Sequence, residues 1–210
     1  VSTAGLEPDS IAYPLRKIFR KNVDFHFRMA EVEAIQAENN TIHTSIGSLH
    51  YDFLVIATGT RTNFFGNDSI AENSMPMKTV PQALNIRSLM LQNIEKADMT
   101  PDARERKRLL NFVIAGAGPT GVELAGALAE FRKGILENDY PELEEEEMNV
   151  HLIEGLDRVL PPMSKEASAK AQKFLENLGV QLHLETFISD YDGKTVTTKD
   201  GQKFETATFI

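Results

Sequence analysis

An α/β fold built on a parallel sheet is predicted by three observations along the 210-residue sequence. The first is an apolar run, Phe112-Val113-Ile114-Ala115, of the kind that a strand buried on both faces requires. The second is the turn that stops this run, Gly116-Ala117-Gly118-Pro119-Thr120-Gly121, which reads G-x-G-x-x-G. The third is the helical spacing of Val122, Leu124, Ala125, Leu128 and Ala129 directly after the turn, with Gly126 small enough for close packing. A further strand follows at Asn149–Glu154. Strand, glycine turn, helix and strand in that order make a Rossmann-like unit.

Each part of the turn has a task if a dinucleotide sits there. Gly116 permits the tight strand-to-helix turn, Gly118 lets the backbone approach a pyrophosphate, and Gly121 lets helix and strand pack closely. Pro119 and Thr120 open a helix whose first N–H groups and partial positive charge face the phosphates. Glu154 ends the next strand, where a carboxylate accepts hydrogen bonds from an adenosine ribose and repels a 2′-phosphate, favouring NAD(H) over NADP(H). The gap from Gly121 to Glu154 exceeds the usual ~20 residues. Arg132–Met148, a polar extension of the helix and its loop, accounts for the excess. Fortuitous glycines are the competing explanation, and the strand before, the helix after and the acidic residue beyond argue against it.

Composition narrows the class. Hydrophobic residues at 41% and charged residues at 25% are ordinary for a globular protein. A net charge of −9 leaves no basic stripe for nucleic acid. With no cysteine there is neither a disulfide framework nor a thiolate metal site in these residues. No apolar run approaches the ~18 residues of a membrane span.

Taken in order, Ile11–Lys21 is patterned as a helix, with Asp9 or Ser10 as its cap. Val23–Phe27 alternates like a strand and Val32–Ile35 is a second one. Asn39-Asn40 turns into Thr41–Thr44, and Gly47 leads to Leu49-His50-Tyr51. Phe53–Ala57 is apolar throughout, which predicts a buried strand ending at Thr58-Gly59. Thr60–Asn73 is loop-like, and Thr79–Met99 is a helix with Pro81 in its first turn, ended by Thr100-Pro101. Arg104–Arg108 is a basic patch and Glu142–Glu147 an acidic run, both expected as solvated segments. The five histidines (His26, His43, His50, His151, His183) have no ligand-like spacing and are expected on strand surfaces. No Ser-His-Asp set or carboxylate pair stands out, and no metal site is expected.

The end of the chain repeats its beginning. Val180–Leu184, Phe187-Ile188, Asp192-Gly193, Thr195–Thr198, Gly201 and Ala207–Ile210 follow the order of Val23–Ile56. Val23 matches Val180, Ile42 matches Val196, Gly47 matches Gly201 and Ile56 matches Ile210. The second copy is a Rossmann-like domain with a three-stranded antiparallel insertion. The first is the second half of a similar domain whose glycine-turn half is expected upstream of Val1. The chain is therefore expected to be an internal piece of a longer protein. Residues 1–66 would be the later half of one nucleotide domain, 67–108 a connecting loop and helix, and 109–210 a second nucleotide domain cut at its closing strand.

These residues resemble flavoprotein pyridine-nucleotide oxidoreductases with tandem FAD and NADH domains, most closely the single-subunit, quinone-reducing (type II) NADH dehydrogenases. The resemblance is carried by Ser2–Leu6, Tyr13–Arg16, Tyr51–Gly59, Lys78–Leu84, Ala117–Ala127 and His151–Pro161. It implies that Ala57-Thr58-Gly59 is the second FAD contact and that the backbone of Val32 reads the FAD adenine. It implies that Glu123 lies near the nicotinamide and flavin, positioning NADH or assisting the quinone step. A carboxylate there also suits the helix dipole, at under ~1 kcal/mol.

The implied cofactors are FAD and NAD(H), with hydride passing from NADH to the flavin and two electrons on to a quinone. The implied location is the cytoplasm, with the parent protein peripheral on the cytoplasmic face of the membrane. This piece alone is expected to bind NADH and not to turn over. Unpaired strand edges suggest a domain-swapped or edge-paired homodimer. Two alternatives stay open: a flavin reductase of a protein acceptor such as ferredoxin or rubredoxin, and a non-catalytic NADH-binding module like the apoptosis-inducing flavoproteins.

Overall fold

The structure is a computed structural model that describes residues 1–3, 5 and 7–210, with the backbone alone at Ile135, Leu136, Glu137 and Glu145. Ala4 and Leu6, two residues that carry the resemblance, lie outside the described residues. The chain clusters into two units, Pro8–Arg61 and a larger one made of Val1–Glu7 with Thr62–Ile210.

In the smaller unit two short helices, α1 (Pro8–Ile11) and α2 (Leu15–Ile18), stand where one longer helix was expected. Pro14 explains the break, because it lacks an N–H and disfavours helical backbone at Tyr13. A three-stranded antiparallel sheet follows: β1 (Val32–Gln36), β2 (Thr41–Thr44) and β3 (Gly47–His50). Val23–Phe27 forms no strand. Nor does Phe53–Ala57, and it is not buried, with Val55 85% exposed. A parallel strand exists only through hydrogen bonds to a neighbour's edge, and none of the described residues offers one here.

The larger unit begins with α3 (Asp68–Asn73), inside the stretch expected to be loop. Asn67 caps it, its side chain accepting the Ile70 N–H at 2.9 Å. Helix α4 (Val80–Met99) starts at a capping box in which Thr79 and Gln82 satisfy each other's backbone N–H groups. After α5 (Ala103–Leu109) come β4 (Asn111–Ala115), α6 (Pro119–Phe131), α7 (Glu137–Asp139) and β5 (Asn149–Ile153). Helix α8 (Lys165–Asn177) and β6 (Gln181–His183) lead to β7 (Ile188–Tyr191), β8 (Thr195–Thr198), β9 (Lys203–Glu205) and β10 (Thr208–Phe209).

The parallel sheet has the order β10-β4-β5-β6, and β7-β8-β9 form a separate antiparallel sheet. Alternation along β4 and β5 assigns the two faces. Phe112, Ile114, Val150 and Leu152 pack against Met90 and Ile94 of α4, Leu124 and Leu128 of α6 and Leu175 of α8. Val113 and Ile153 face the other way, against Tyr191, Val196 and Phe209. The result is helices, parallel sheet and antiparallel sheet stacked in three layers.

The first strand pair of each antiparallel sheet carries the same bulged register. In β1-β2 the register runs Val32↔Thr44, then shifts to Ala34↔His43 and Ile35↔Ile42. In β7-β8 it runs Ile188↔Thr198, then shifts to Asp190↔Thr197 and Tyr191↔Val196. The Ser45 N–H donates to the Glu31 carbonyl at 3.0 Å, and the Lys199 N–H donates to that of Phe187 at 2.8 Å. A bulge at the same place in both copies is a feature of the repeated unit and not a generic hairpin. The hairpin loops differ in length, since Ile42 pairs with Leu49 and Val196 with Phe204, so that Gly47 pairs with Thr44 while Gly201 lies in the turn. The continuation differs too. Val55 is exposed, whereas its counterpart Phe209 is 2% exposed and lies in a strand paired in parallel with Phe112 and Val113 of β4.

Candidate functional site

The larger unit places the glycine turn between β4 and α6, at the C-terminal edge of the parallel sheet. Gly116 has φ +93°, a backbone conformation that side chains rarely adopt. Its N–H donates to the Ile153 carbonyl at 2.8 Å, tying the turn to the neighbouring strand. A Cβ on Gly121 would fall 1.9 Å from the Gly116 carbonyl oxygen and 3.4 Å from Leu152 Cδ1. Gly121 is therefore needed both for the turn to fold under the helix and for helix and strand to meet. Gly126 is different: a Cβ there would meet Leu175 Cδ2 at an ordinary 3.9 Å, so its small size is not required.

Gly118 is the N-cap of α6, and no side chain caps the helix. A Cβ on it would meet nothing within 4 Å, so the backbone of Gly118 is open on that side. Pro119 takes the first helical position, and both Pro119 and Thr120 are exposed. An uncapped helix start beside an exposed turn leaves first-turn N–H groups for a ligand to satisfy. Glu123 lies on the same helix with its side chain exposed.

Glu154 reaches the turn directly. Its Oε2 accepts the Ala117 N–H at 2.7 Å, and its Oε1 accepts the Leu156 N–H at 2.9 Å. The side chain is half-buried, at the end of β5. Gly116, Gly118, Pro119, Thr120, Gly121 and Glu154 thus converge on one edge. Ala117 is the residue that sequence reasoning passed over. It occupies an unspecified position of the motif, and its part is played by its N–H, which no residue type advertises.

In the smaller unit Val32 begins the edge strand β1, opposite Thr44. Ala57, Thr58 and Gly59 are exposed and outside regular structure, with Gly59 at φ +73°.

The histidines correct a second expectation. His151 is 8% exposed, and its Nδ1 lies 3.1 Å from Nε2 of His183 on the adjacent strand. Phe204 packs on both rings, with centroids 5.2 and 4.9 Å away. His151 is buried and His183 partly so because β5 and β6 turn one face toward the antiparallel sheet. Burial, with smaller contributions from His183 and Lys107, pushes the His151 imidazole down to about 4. The basic and acidic runs are not simply solvated either. Arg104 pairs with Glu205, Arg108 with Glu105 at 2.7 Å, and Arg106 with Glu147 at 3.6 Å.

The profile of the pyridine nucleotide-disulphide oxidoreductase family matches residues 3–210. The type II NADH:quinone oxidoreductase NdhA of Mycobacterium tuberculosis is 35% identical over 207 residues, covering 96% of this chain and 44% of the relative. The external alternative NAD(P)H-ubiquinone oxidoreductase B2 of Arabidopsis thaliana, a mitochondrial protein, is 32% identical over 95% of this chain and 36% of its own length. The chain thus spans less than half the length of these relatives. Among solved structures, NDH2 from Plasmodium falciparum in complex with NADH superposes with a TM-score of 0.75 at 24% identity, over 86% of this chain and 39% of that one.

Proposed function

The chain belongs to the pyridine nucleotide-disulphide oxidoreductase family, and we propose that it is part of an FAD-dependent NADH dehydrogenase that reduces a quinone. The observation that carries this reading is the convergence of Gly116, Gly118, the open start of α6 and the Glu154 carboxylate on one sheet edge. The residues fit a dinucleotide. Gly118 is unobstructed on the side a Cβ would take, a pyrophosphate would meet the helix N–H groups there, and Glu154 stands where an adenosine ribose would offer its hydroxyls. Support for the quinone as acceptor comes from relatives named for that reaction over nearly the whole of this chain.

Bound FAD would supply the redox chemistry, taking a hydride from NADH and returning two electrons to the quinone. Gly118, Pro119, Thr120 and Gly121 would hold the NADH pyrophosphate, and Glu154 would select NADH by repelling a 2′-phosphate. Glu123, exposed on α6, would serve the nicotinamide end. Val32 and Ala57-Thr58-Gly59 would give backbone contacts to FAD, with Gly59 in a left-handed conformation that favours glycine.

Among the described residues no helix is long and apolar enough to cross a membrane. We place the whole protein on the cytoplasmic face of the membrane as a peripheral enzyme. The unpartnered apolar segment around Val55 supports edge pairing between copies of this piece, which light scattering would detect as a dimer.

The test is a calorimetric titration of the full-length protein with NADH and with NADPH. NADH should bind more tightly, and Glu154→Ala should abolish the preference. Equal affinities in the wild type would remove Glu154 from cofactor selection.

A further inference from the structure

Glu154 makes two hydrogen bonds that reading a ribose does not require. Its Oε2 accepts the Ala117 N–H at 2.7 Å and its Oε1 the Leu156 N–H at 2.9 Å. Ala117 is fully buried, at the second position of the glycine turn. Its carbonyl accepts the Leu160 N–H at 2.7 Å, so Glu154 completes the backbone bonding of this one residue. The backbone of Glu154 is itself held on both sides. Its N–H donates to the His183 carbonyl and its carbonyl accepts the Thr186 N–H, both at 2.9 Å.

The carboxylate therefore stands on a fixed base. A buried N–H left without an acceptor bears its full desolvation cost, and an ionised acceptor bonds it about twice as strongly as a neutral one. A carboxylate has roughly four lone-pair sites, so two bonds to backbone leave room for ribose hydroxyls.

We propose that Glu154 is a positioning residue for the glycine turn as well as a reader of the ribose. By holding the Ala117 N–H, it fixes the turn that presents Gly118 and the start of α6 to the pyrophosphate. The inference rests on the reading of this edge as the NADH site and adds a second duty to the residue that selects the cofactor. It has a consequence for specificity. Replacing Glu154 by a cation to admit a 2′-phosphate also strips the acceptor from Ala117 and Leu156. Glu154→Arg then loses NADH affinity without a matching gain for NADPH.

The first test needs no nucleotide: residue-resolved amide hydrogen exchange in the full-length, FAD-loaded protein. The Ala117 N–H should exchange about tenfold faster or more in Glu154→Ala. The Gly116 N–H, bonded to Ile153, is the reference and should be unchanged. Glu154→Gln keeps an acceptor oxygen at the same reach and should restore much of the protection. Glu154→Ser, whose short side chain cannot reach the Ala117 N–H, carries the comparison if the alanine variant does not fold. Equal Ala117 exchange in the wild type and in the variant that lacks the acceptor overturns the proposal.

The second test is titration with NADH and with an analogue lacking both hydroxyls of the adenosine ribose. A residue that only reads the ribose loses nothing on the analogue when truncated. A turn-positioning residue still loses about three- to tenfold, a typical value for one hydrogen bond. A wild type that binds neither ligand would sink the NADH reading, while the exchange result would still decide the positioning role.

Discussion

Gly121 faces the carbonyl oxygen of Gly116 so closely that a Cβ on it would lie 1.9 Å from that oxygen and 3.1 Å from its carbon. The obstruction is backbone, which cannot swing aside as a side-chain end could. Gly121→Ala must therefore open the turn or push α6 off the sheet. The expected loss is at or above the ~1–3 kcal/mol of ordinary overpacking, read as a lower denaturant midpoint together with weaker NADH binding.

Gly126 gives the opposite result. Its added methyl would sit in ordinary contact with Leu175, and alanine is a better helix former than glycine by ~0.5–1 kcal/mol. Gly126→Ala should raise the thermal midpoint slightly and leave NADH affinity as it was.

His151 makes stability depend on pH in a defined window. Its imidazole is held at about 4 by burial, against an ordinary 6.5, and burial lowers His183 as well. Between those two values the unfolded chain takes up a proton that the folded chain refuses. The stabilisation is complete above pH 6.5 and is lost as the pH falls toward 4, by up to about 3 kcal/mol for His151. Urea midpoints measured across this range should fall with pH. His151→Phe should flatten the slope, leaving the smaller part due to His183.

The edge strand β10 is pinned by a buried polar pair, Asn93 Nδ2 donating to Thr208 Oγ1 at 3.0 Å. Asn93→Ala removes the donor from a fully buried hydroxyl and leaves a small void beside it. A loss of about 1–3 kcal/mol is expected in equilibrium unfolding.

Glu123 is exposed, so its removal should cost the fold less than ~1 kcal/mol. If it serves the nicotinamide end of the site, Glu123→Gln lowers quinone turnover of the full-length protein while NADH affinity is kept. Unchanged turnover would leave it only a helix-dipole role.

Much of this was legible in the chain. The order strand, glycine turn, helix, strand follows from local pattern, because turn glycines and apolar periodicity act within a few residues of one another. So does the internal repeat, whose first strand pairs carry matched bulges opposite Thr44 and Thr198. The helix over Ile11–Lys21 was misread because Pro14 overrides apolar spacing. Helix α3 was missed because a six-residue helix has too little periodicity to detect.

The sequence by itself determined the Rossmann-like unit, its repeated antiparallel insertion and the residue types at the candidate nucleotide turn, since these are written in spacing and glycine placement. Tertiary structure decided which apolar segment became a strand, burying Phe209 beside β4 and leaving Val55 exposed, because a parallel strand depends on a neighbour distant in sequence. It also buried His151 and brought the Glu154 carboxylate to the Ala117 N–H, 37 positions away. That contact depends on the parallel register of β4 and β5, in which Ala115 faces Ile153. Only the folded sheet sets that register.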